Sequence, residues 1–324
     1  MRRLNHSLGN RSMGTTTALL VPSLSPADKV ALEMCIHTGW PKITLLTPVL
    51  NSVRYIEDTI RSVIYQGYPN LEYIVVDGGS TDGTVDIIRK YEKHISWWVS
   101  EPDKGRFDAL NKGFARASGE IMGWISASDM LHVRSLFVVG SVFQTFPEVE
   151  WITGQPTNFN EQGMTVFVTK PPRWSRIRFL AGANRYIQQE STFWRRSLWE
   201  RAGGYVDSSR KIANDLELWV RFFRHARLYP VHALIGGYRH HSDSDSTLHM
   251  DECHRVHEEI IQAELDFLRG GKALKVFRRL CISVQNIPVL RALWLRLLMS
   301  HLYFRRGPDS PPAIKSWDGK WTMR

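Results

Sequence analysis

The sequence is poor in cysteine. Its 324 residues include three cysteines, Cys35, Cys253 and Cys281, which lie far apart and form no CxxC pair. Such spacing gives neither the disulfide framework of a small secreted domain nor a cysteine-based zinc site. The cysteine content therefore indicates a reducing compartment, and we expect a cytoplasmic protein.

The sequence also lacks a long apolar run. A membrane-spanning helix needs about 18 consecutive apolar residues. The longest candidate, around Ile287–Phe304, is interrupted by Arg291, Arg296 and His301. Near the start, the apolar stretch ALLV is too short for the core of a secretory signal. The sequence thus predicts no membrane-spanning segment.

Two common phosphate-binding loops are absent. Neither GxGxxG nor the Walker pattern GxxxxGK[ST] occurs in the chain. A dehydrogenase of the Rossmann type is therefore disfavoured, because its glycine fingerprint holds the pyrophosphate. If the chain binds a nucleoside diphosphate, a divalent metal ion is the remaining common way to neutralise that group.

Positive charge is concentrated in the C-terminal segment. The formal net charge is +10, and from Leu268 to Arg324 there are 12 lysines or arginines against two acids (12 − 2 = 10). Between Lys272 and Arg306 the basic residues alternate with apolar ones on both sides of Pro288. This pattern is typical of two helices lying on an anionic membrane surface. The alternative is that the helices pack on the body of the protein. No nucleic-acid-binding motif accompanies the charge, so we expect no nucleic-acid partner.

The most informative stretch is LEYIVVDGGSTDG, from Leu71 to Gly83. Tyr73–Val76 is apolar and β-branched, which predicts a buried strand that stops on Asp77. Two glycines and a set of helix-capping residues follow. In an open α/β sheet, ligands bind beyond the carboxyl ends of the strands, so Asp77 lies where a nucleotide would bind. The alternative is a helix-capping turn without a ligand.

Strand and helix patterns alternate on either side of this stretch. ITLLTPVLN predicts a strand at Ile43–Leu46, with Pro48 marking its exit from the sheet. An amphipathic helix follows, and the pattern then repeats. The order strand–helix–strand–helix predicts an α/β fold with a mostly parallel sheet flanked by helices.

Two further acids belong to the same picture. Asp129 follows the apolar strand EIMGWIS, and Asp215 opens the helix NDLELWVRFF. Acids at the ends of parallel strands can converge on one crevice, where one reads a base, one holds a metal and one acts as a general base. Asp215 could instead be a plain helix cap, and Glu217 is the alternative base.

Several motifs then occur in one order: TPVLN, VDGGSTDGT, SEPDKGRFDALNKGFARASGE, ISASD and ANDLELWVRF. This ordered set, from Lys42 to His241, resembles the family 2 glycosyltransferases of the GT-A fold, and among them bacterial enzymes that build surface polysaccharides. The resemblance implies a GT-A (Rossmann-like) domain that transfers a sugar, with inversion, from a nucleotide-diphosphate sugar. The donor expected is UDP-linked, and the acceptor a glycan or lipid-linked hydroxyl.

The resemblance also assigns residues. Asp215 corresponds to the catalytic base, and Asp129 to the last acid of a motif that binds Mn²⁺ or Mg²⁺, with His241 as a further metal candidate. The residues that the resemblance places near the donor diphosphate or the acceptor are Gln188, Gln189 and Arg239. Those expected to bind the nucleotide are Thr47, Pro48, Asn51, Asp77, Lys104, Asn111 and Ser128.

The sequence departs from the family in two motifs. Ser126-Ala127-Ser128-Asp129 keeps only the last acid of the metal motif, so we expect weak metal binding that depends on the nucleotide. Asn214 replaces the glutamate that usually precedes the base. The runner-up interpretation is therefore a nucleotide-sugar-binding GT-A protein with little or no transfer activity.

The predicted organisation has three parts. Residues 1–40 form a flexible leader, residues 41–248 the GT-A domain, and residues 249–324 a helical basic extension. Within the domain, residues 41–130 form the nucleotide half and 131–248 the acceptor half. We expect the extension to attach the protein peripherally to the inner face of the cell membrane, and Trp174, among arginines, to be exposed for an acceptor or lipid.

Overall fold

The computed structural model describes residues 39–181, 186–242, 244, 249–268, 275, 276, 279, 311–317 and 319–323. Of the two compact units into which the chain divides, Met1–Gly39 and Trp40–Arg324, the second carries every described element. The predicted leader and nearly all of the predicted membrane-surface helices between Lys272 and Arg306 lie outside the described residues.

Thirteen strands are described. They are β1 Ile43–Val49, β2 Leu71–Asp77, β3 Trp97–Ser100, β4 Ile121–Trp124, β5 Met130–Leu131, β6 Trp151–Thr153, β7 Thr157–Phe159, β8 Thr165–Val168, β9 Thr192–Arg195, β10 Leu228–Pro230, β11 Gly236–Arg239, β12 Ile314–Trp317 and β13 Lys320–Met323.

The helices alternate with the strands in the first half of the domain. They are α1 Ile56–Ile64, α2 Thr84–Lys90, α3 Arg106–Phe114, α4 Ser135–Thr145, α5 Arg176–Leu180, α6 Arg196–Arg201, α7 Asn214–His225 and α8 Met250–Phe267, with 3₁₀ turns at Glu92–His94 and Gln189–Ser191. None of these helices combines the length and the apolar character that a membrane span requires.

The main sheet has seven strands in the order β10-β6-β9-β4-β1-β2-β3. Strands β4, β1, β2 and β3 run parallel to one another, and β10 runs parallel to β6. Strand β9 is antiparallel to both of its neighbours. The predicted α/β fold with a mostly parallel, helix-flanked sheet is confirmed.

Strand β1 is longer than predicted. It continues through Pro48 to Val49, and Pro48 pairs with Val76 of β2. The central position is tolerated because the pairing of β1 with β4 stops at Leu46. Leu46 and Pro48 face the same side of the strand, so the missing N–H of Pro48 points beyond the end of β4 and breaks no ladder bond.

Two apolar layers enclose the sheet. One joins β1 and β2 to the helices α1 and α4, and the other joins β4, β6 and β9 to α3, α6, α7 and α8. Trp174 belongs to the second layer and is 2% exposed, so the prediction of an exposed contact residue was wrong. Its indole packs in the same core cluster as Phe179 and Phe223, and burying that area outweighs the basic neighbourhood.

The C-terminal residues that the structure describes pack on this domain. Helix α8 contributes Val256, Ile260, Ile261 and Leu265 to the core layer that contains α7. Ile314 is fully buried, and β12 forms a bridge with Val231. Cutting the chain after Leu268 would therefore remove core residues as well as the basic segment.

Candidate active site

The candidate site lies at the carboxyl edge of the parallel strands. Strand β1 is flanked by β2, which ends on Asp77, and by β4, which leads into the turn before Asp129. Because neighbouring parallel strands end at one edge, the topology brings these two acids to the same side of the sheet. This is the convergence that the sequence predicted.

Asp77 is fully buried and organises the loop after β2. Its Oδ2 accepts hydrogen bonds from the backbone N–H of Gly79 at 3.1 Å, the N–H of Ser80 at 2.9 Å and the hydroxyl of Ser100 at 2.6 Å. Its Oδ1 accepts one from the hydroxyl of Ser80. Gly79 has φ +89°, a conformation that a side chain would disfavour. A carboxylate offers about four acceptor positions. Three of the four bonds fall on Oδ2, so Oδ1 keeps a position that can accept one further N–H.

The loop after β1 is tied to the loop after β2. Asn51, at φ 45°, receives the N–H of Thr81 on its side-chain oxygen at 3.0 Å, and its own N–H donates to the Ser80 hydroxyl at 2.7 Å. The side chain of Thr47 lies inside the sheet layer, 3.0 Å from the Tyr73 hydroxyl. Asn51 thus shapes the floor of the site, whereas the Thr47 side chain supports β1 from within.

We expect Asp77→Asn to weaken binding of uridine diphosphate and also to destabilise the protein by about 1–3 kcal/mol, because an amide cannot accept all four bonds. Calorimetry and urea unfolding measure the two effects. Ser100→Ala is the control, since it removes one donor and keeps the carboxylate that would read the base. Unchanged nucleotide affinity in Asp77→Asn would assign base recognition to another group.

Asp129 lies at the end of a tight turn and is 2% exposed. The turn closes through the N–H of Asp129 on the carbonyl of Ser126 at 3.0 Å. The buried hydroxyl of Thr59, on α1, donates to the carbonyls of Ala127 at 2.8 Å and Asp129 at 2.7 Å. Ser128 lies half-buried within this turn. Helix α1 therefore fixes the remnant of the metal motif.

Strand β11 brings Arg239 to the same turn, and His241 follows two residues after the strand ends. The backbone N–H of Arg239 donates to Asp129 Oδ1 at 2.9 Å. Its buried guanidinium pairs with Asp58 at 3.1 Å and lies 5.2 Å from the centre of the Tyr55 ring. The ring of His241 lies 4.7 Å from the Tyr55 ring. The Arg239 side chain is thus held by Asp58 and Tyr55, and its contact with a diphosphate stays a prediction.

The turn Gln189–Ser191 adds a carboxylate that the sequence analysis passed over. Glu190 is 5% exposed, and its Oε1 has no hydrogen-bond partner. Gln188 pairs with both backbone polar groups of Thr157, and the Gln189 amide donates to the carbonyl of Trp124 at the end of β4. The two glutamines assigned to donor or acceptor binding therefore hold the turn, and they place Glu190 in the site.

Asp215 is the second residue of α7 and is partly exposed. The preceding Asn214 is fully buried, and its amide group donates to the carbonyls of Asp207 and Arg210. A glutamate could not make these bonds, which gives Asn214 a physical role. Ala213 adopts φ 60°, an uncommon conformation for a residue with a β-carbon, so the local backbone is strained beside the candidate base.

Glu217, the alternative base, is already paired with an arginine. Its carboxylate forms an ion pair with Arg221 at 2.7 Å. Arg221 also donates to the backbone carbonyls of Ala202 and Tyr205. Glu217 thus ties α7 to the loop that follows α6, which favours Asp215 as the base.

The three acids Asp129, Glu190 and Asp215 influence one another. Burial raises the pKa of Asp129 to about 7 and also raises the pKa of Asp215. Burial raises the pKa of Glu190 well above its usual value, and the charges of Asp129 and Asp215 raise it further. Arg106, at the start of α3, lowers the pKa of both Asp129 and Asp215. Arg239 also lowers the pKa of Asp129. Burial and nearby charges thus oppose each other at these acids, as they often do at catalytic carboxylates.

The helix α3 supports this arrangement. The amide of Asn111 exchanges two bonds of 2.7 Å with the backbone of Val206, so its side chain ties α3 to the loop before α7. Lys104 is exposed at the beginning of α3, and its N–H donates to Asp108. Of the two, only the Lys104 side chain extends from the surface toward solvent.

Among the described residues, Asp129 is the carboxylate that the family resemblance assigns to a divalent metal ion. Within the described part of the chain, no group of three or more His, Cys, Asp or Glu side chains is arranged to hold a metal. Mg²⁺ is commonly bound by one or two carboxylates together with substrate phosphates. Asp129 fits that kind of site, which would be complete only when a diphosphate is present.

Comparison with known proteins indicates the family and the fold of the chain. The sequence model described as glycosyl transferase family 2 matches residues 44–136. An uncharacterized glycosyltransferase of Mycobacterium tuberculosis is 30% identical over 192 residues, which cover 57% of this chain and 70% of that protein. The putative teichuronic acid biosynthesis glycosyltransferase TuaG of Bacillus subtilis is 41% identical over 96 residues, which cover 28% of this chain and 38% of TuaG.

Solved structures share the fold. TarS 1–349 from S. aureus in complex with UDP-GlcNAc has a TM-score of 0.58 at 16% identity, covering 87% of this chain and 96% of that one. The mannosyltransferase PcManGT from Pyrobaculum calidifontis, in complex with GDP-Man and Mn²⁺, has a TM-score of 0.50 at 18% identity, covering 82% of this chain and 86% of that one. Against the longer TarS chain the match covers 52% of its length. By sequence and fold together, this chain belongs to glycosyl transferase family 2.

Proposed function

We propose that the chain is an inverting glycosyltransferase that uses a UDP-linked sugar. The observation that carries the proposal is the group of three acids, the buried Asp129 and Glu190 and the partly exposed Asp215, beside the Asp77 loop at one edge of the sheet. The neighbour TarS was solved with UDP-GlcNAc and with UDP, which supports uracil as the base of the donor. A carboxylate in the position of Asp77 is a natural acceptor for the uracil imide.

The residues of the chain would divide the work as follows. The nucleoside lies on the loops that contain Asn51 and Asp77, with Lys104 close to the donor. Asp215 takes the proton from an acceptor hydroxyl while that oxygen attacks the anomeric carbon from the face opposite the diphosphate. The new carbon–oxygen bond forms as the bond to the diphosphate breaks, and its electron pair leaves with the nucleoside diphosphate.

Asp129, with His241 as a further candidate, would hold the divalent metal ion. When bound, the ion supplies neutralising charge for the leaving diphosphate. The raised pKa of Asp129, caused mainly by its burial, means that the carboxyl competes with protons for the metal near neutral pH.

We expect Mn²⁺ alone to bind weakly and to bind more tightly once UDP is added, because the diphosphate supplies the missing ligands. Calorimetric titration with and without UDP measures this coupling. Asp129→Asn should abolish the tightening, whereas Asp86→Asn, which alters an exposed acid on α2, should retain it. A tight Mn²⁺ site in the nucleotide-free protein that survives Asp129→Asn would contradict the assignment.

The acceptor class follows from the relatives. Their names include teichuronic acid biosynthesis and poly-β-1,6-N-acetyl-D-glucosamine synthase, which supports a surface polysaccharide or its lipid-linked precursor as acceptor. Residues 41–248 contain every proposed site residue and would form the catalytic domain. Attachment to the inner face of the membrane through the basic C-terminal segment remains part of the proposal.

The proposed activity is tested by release of nucleoside diphosphate from a panel of nucleotide sugars in the presence of Mn²⁺. We expect turnover of at least one UDP-sugar and little turnover of GDP-sugars. Binding of UDP-sugars without any turnover, with or without glycan acceptors, would favour the nucleotide-sugar-binding protein instead.

A further inference from the structure

The backbone around Glu190 is held on two sides by close contacts and hydrogen bonds. On one side, the carbonyl oxygen of Glu190 lies so close to Gly236 that a β-carbon there would be 2.1 Å away. The hydroxyl of the next residue, Ser191, donates to the carbonyl of Gly236. On the other side, Gln189 donates to the carbonyl of Trp124. The backbone of Glu190 is thus clamped between β11 and the end of β4.

The clamped side chain ends in an unused hydrogen-bond acceptor. Glu190 is 5% exposed, and its Oε1 has no partner in the structure, although the side chain of Gln188 interacts with the carboxylate and lowers its pKa. Buried polar atoms are nearly always hydrogen-bonded in native proteins, so an unpaired carboxylate oxygen needs an explanation. No packing advantage accounts for it, because an apolar residue of the same size would bury without that cost. A ligand that donates hydrogen bonds would satisfy it.

The neighbours of Glu190 indicate which ligand. The charges of Asp129 and Asp215 both act on Glu190. In the proposed reaction Asp129 marks the diphosphate side of the anomeric carbon, and Asp215 marks the face attacked by the acceptor. An inverting displacement places the transferred sugar ring between these two sides. A carboxylate that is close to both acids therefore borders the ring itself, whereas Asp77 serves the base.

We propose that Glu190 accepts hydrogen bonds from hydroxyl groups of the transferred sugar and thereby selects which UDP-sugar is used. This inference rests on the proposed function. A carboxylate suits the role because its two oxygens can accept from neighbouring hydroxyls on one ring. A site built around such bonds discriminates strongly against a sugar that lacks or inverts the matching hydroxyl, because the buried acceptor is then left unpaired.

The test compares UDP with UDP-sugars in Glu190→Gln. UDP carries no sugar, so its dissociation constant should stay within about twofold of the wild-type value, whereas affinity for the preferred UDP-sugar should fall at least tenfold. The differences in affinity among UDP-glucose, UDP-galactose and UDP-N-acetylglucosamine should become smaller as well. Glu190→Asp, which keeps the charge but shortens the side chain, should change the order of preference. Glu200→Gln, an exposed acid on α6, is the matched control.

Each outcome bears on a separate claim. If Glu190→Gln lowers the affinities for UDP and for UDP-sugars by the same factor, or leaves both affinities unchanged, Glu190 has no role in sugar selection. A thermal unfolding measurement on each variant separates a general loss of folding from a loss of sugar binding. If the wild type binds UDP-sugars but turns over none, the transferase activity fails while the sugar contact of Glu190 is still decided by binding. If the wild type binds no nucleotide sugar, both proposals fall.

Discussion

Replacing Asp215 with asparagine should lower the rate of sugar transfer at least about 100-fold, the usual consequence of losing a general base. Donor binding should persist, because the amide is nearly isosteric with the carboxylate and we propose that Asp215 faces the acceptor. Steady-state kinetics would show the loss in kcat with little change in KM for the donor. Calorimetry with UDP checks that the nucleotide site is intact.

The pH dependence gives an independent check on Asp215. The base works only when deprotonated, and burial raises its pKa. Activity should therefore fall on the acid side at a higher pH than an ordinary aspartate would give. The guanidinium of Arg106 lowers the same pKa, so Arg106→Met should move the acid limb to still higher pH, and Arg106→Lys should restore it. Wild-type transfer by Asp215→Asn would show that another group acts as base, with Glu190 the first to examine, since Glu217 is paired with Arg221.

Truncating Trp194 to alanine should reduce the free energy of unfolding by about 3–5 kcal/mol. Trp194 is fully buried on β9, where it pairs with β4 on one side and β6 on the other. Its indole meets a cluster of rings at centroid distances of 5.3–6.4 Å: Phe114, Trp124, Trp199, Trp219 and Phe222. A cavity here separates the central strands from the helices that carry Asn111 and Asp215. Because a domain is stable by only about 5–15 kcal/mol, the loss would be large.

Guanidinium unfolding measures this effect, and Tyr65→Ala is the control. Tyr65 is 68% exposed, so the same kind of truncation should change stability there by less than about 0.5 kcal/mol. Equal losses at both positions would show that the aromatic cluster contributes nothing special. A loss below about 1 kcal/mol at Trp194 would mean that neighbouring rings close the cavity.

Much of the fold was readable because its signals are local. The apolar run before Asp77 and the helical spacing of Ile56, Ile60 and Val63 each depend on a few adjacent residues, and both elements form where expected. Strand β1 continues past its predicted end. Whether Pro48 interrupts the sheet depends on where the neighbouring strand β4 stops. That information lies about 75 residues further along the chain, at Trp124.

The parts of the site that the sequence did not reveal depend on distant contacts. Glu190 carries no local signature, and its importance comes from Gly236, Asp129 and Asp215, which lie on other elements. The family resemblance assigned Gln188 and Gln189 to the donor diphosphate or the acceptor, and the structure shows that their side-chain amides also bind backbone groups of Thr157 and Trp124. A signal that was available is the small residue Gly236 at the start of a strand, which indicates a close backbone approach.

The most direct test of this account is a crystal structure of the chain with UDP and Mn²⁺. We expect the uracil to lie against Asp77, the diphosphate and metal to lie at Asp129, and Glu190 and Asp215 to face the space beyond the diphosphate. The structure offers a competing location, a cavity of about 500 Å³ bordered by Arg176, Arg224 and Tyr229. This cavity lies at the amino ends of β6 and β10, away from the carboxyl edge that carries the proposed site. UDP bound in that cavity, or a metal bound away from Asp129, would contradict the proposed donor site.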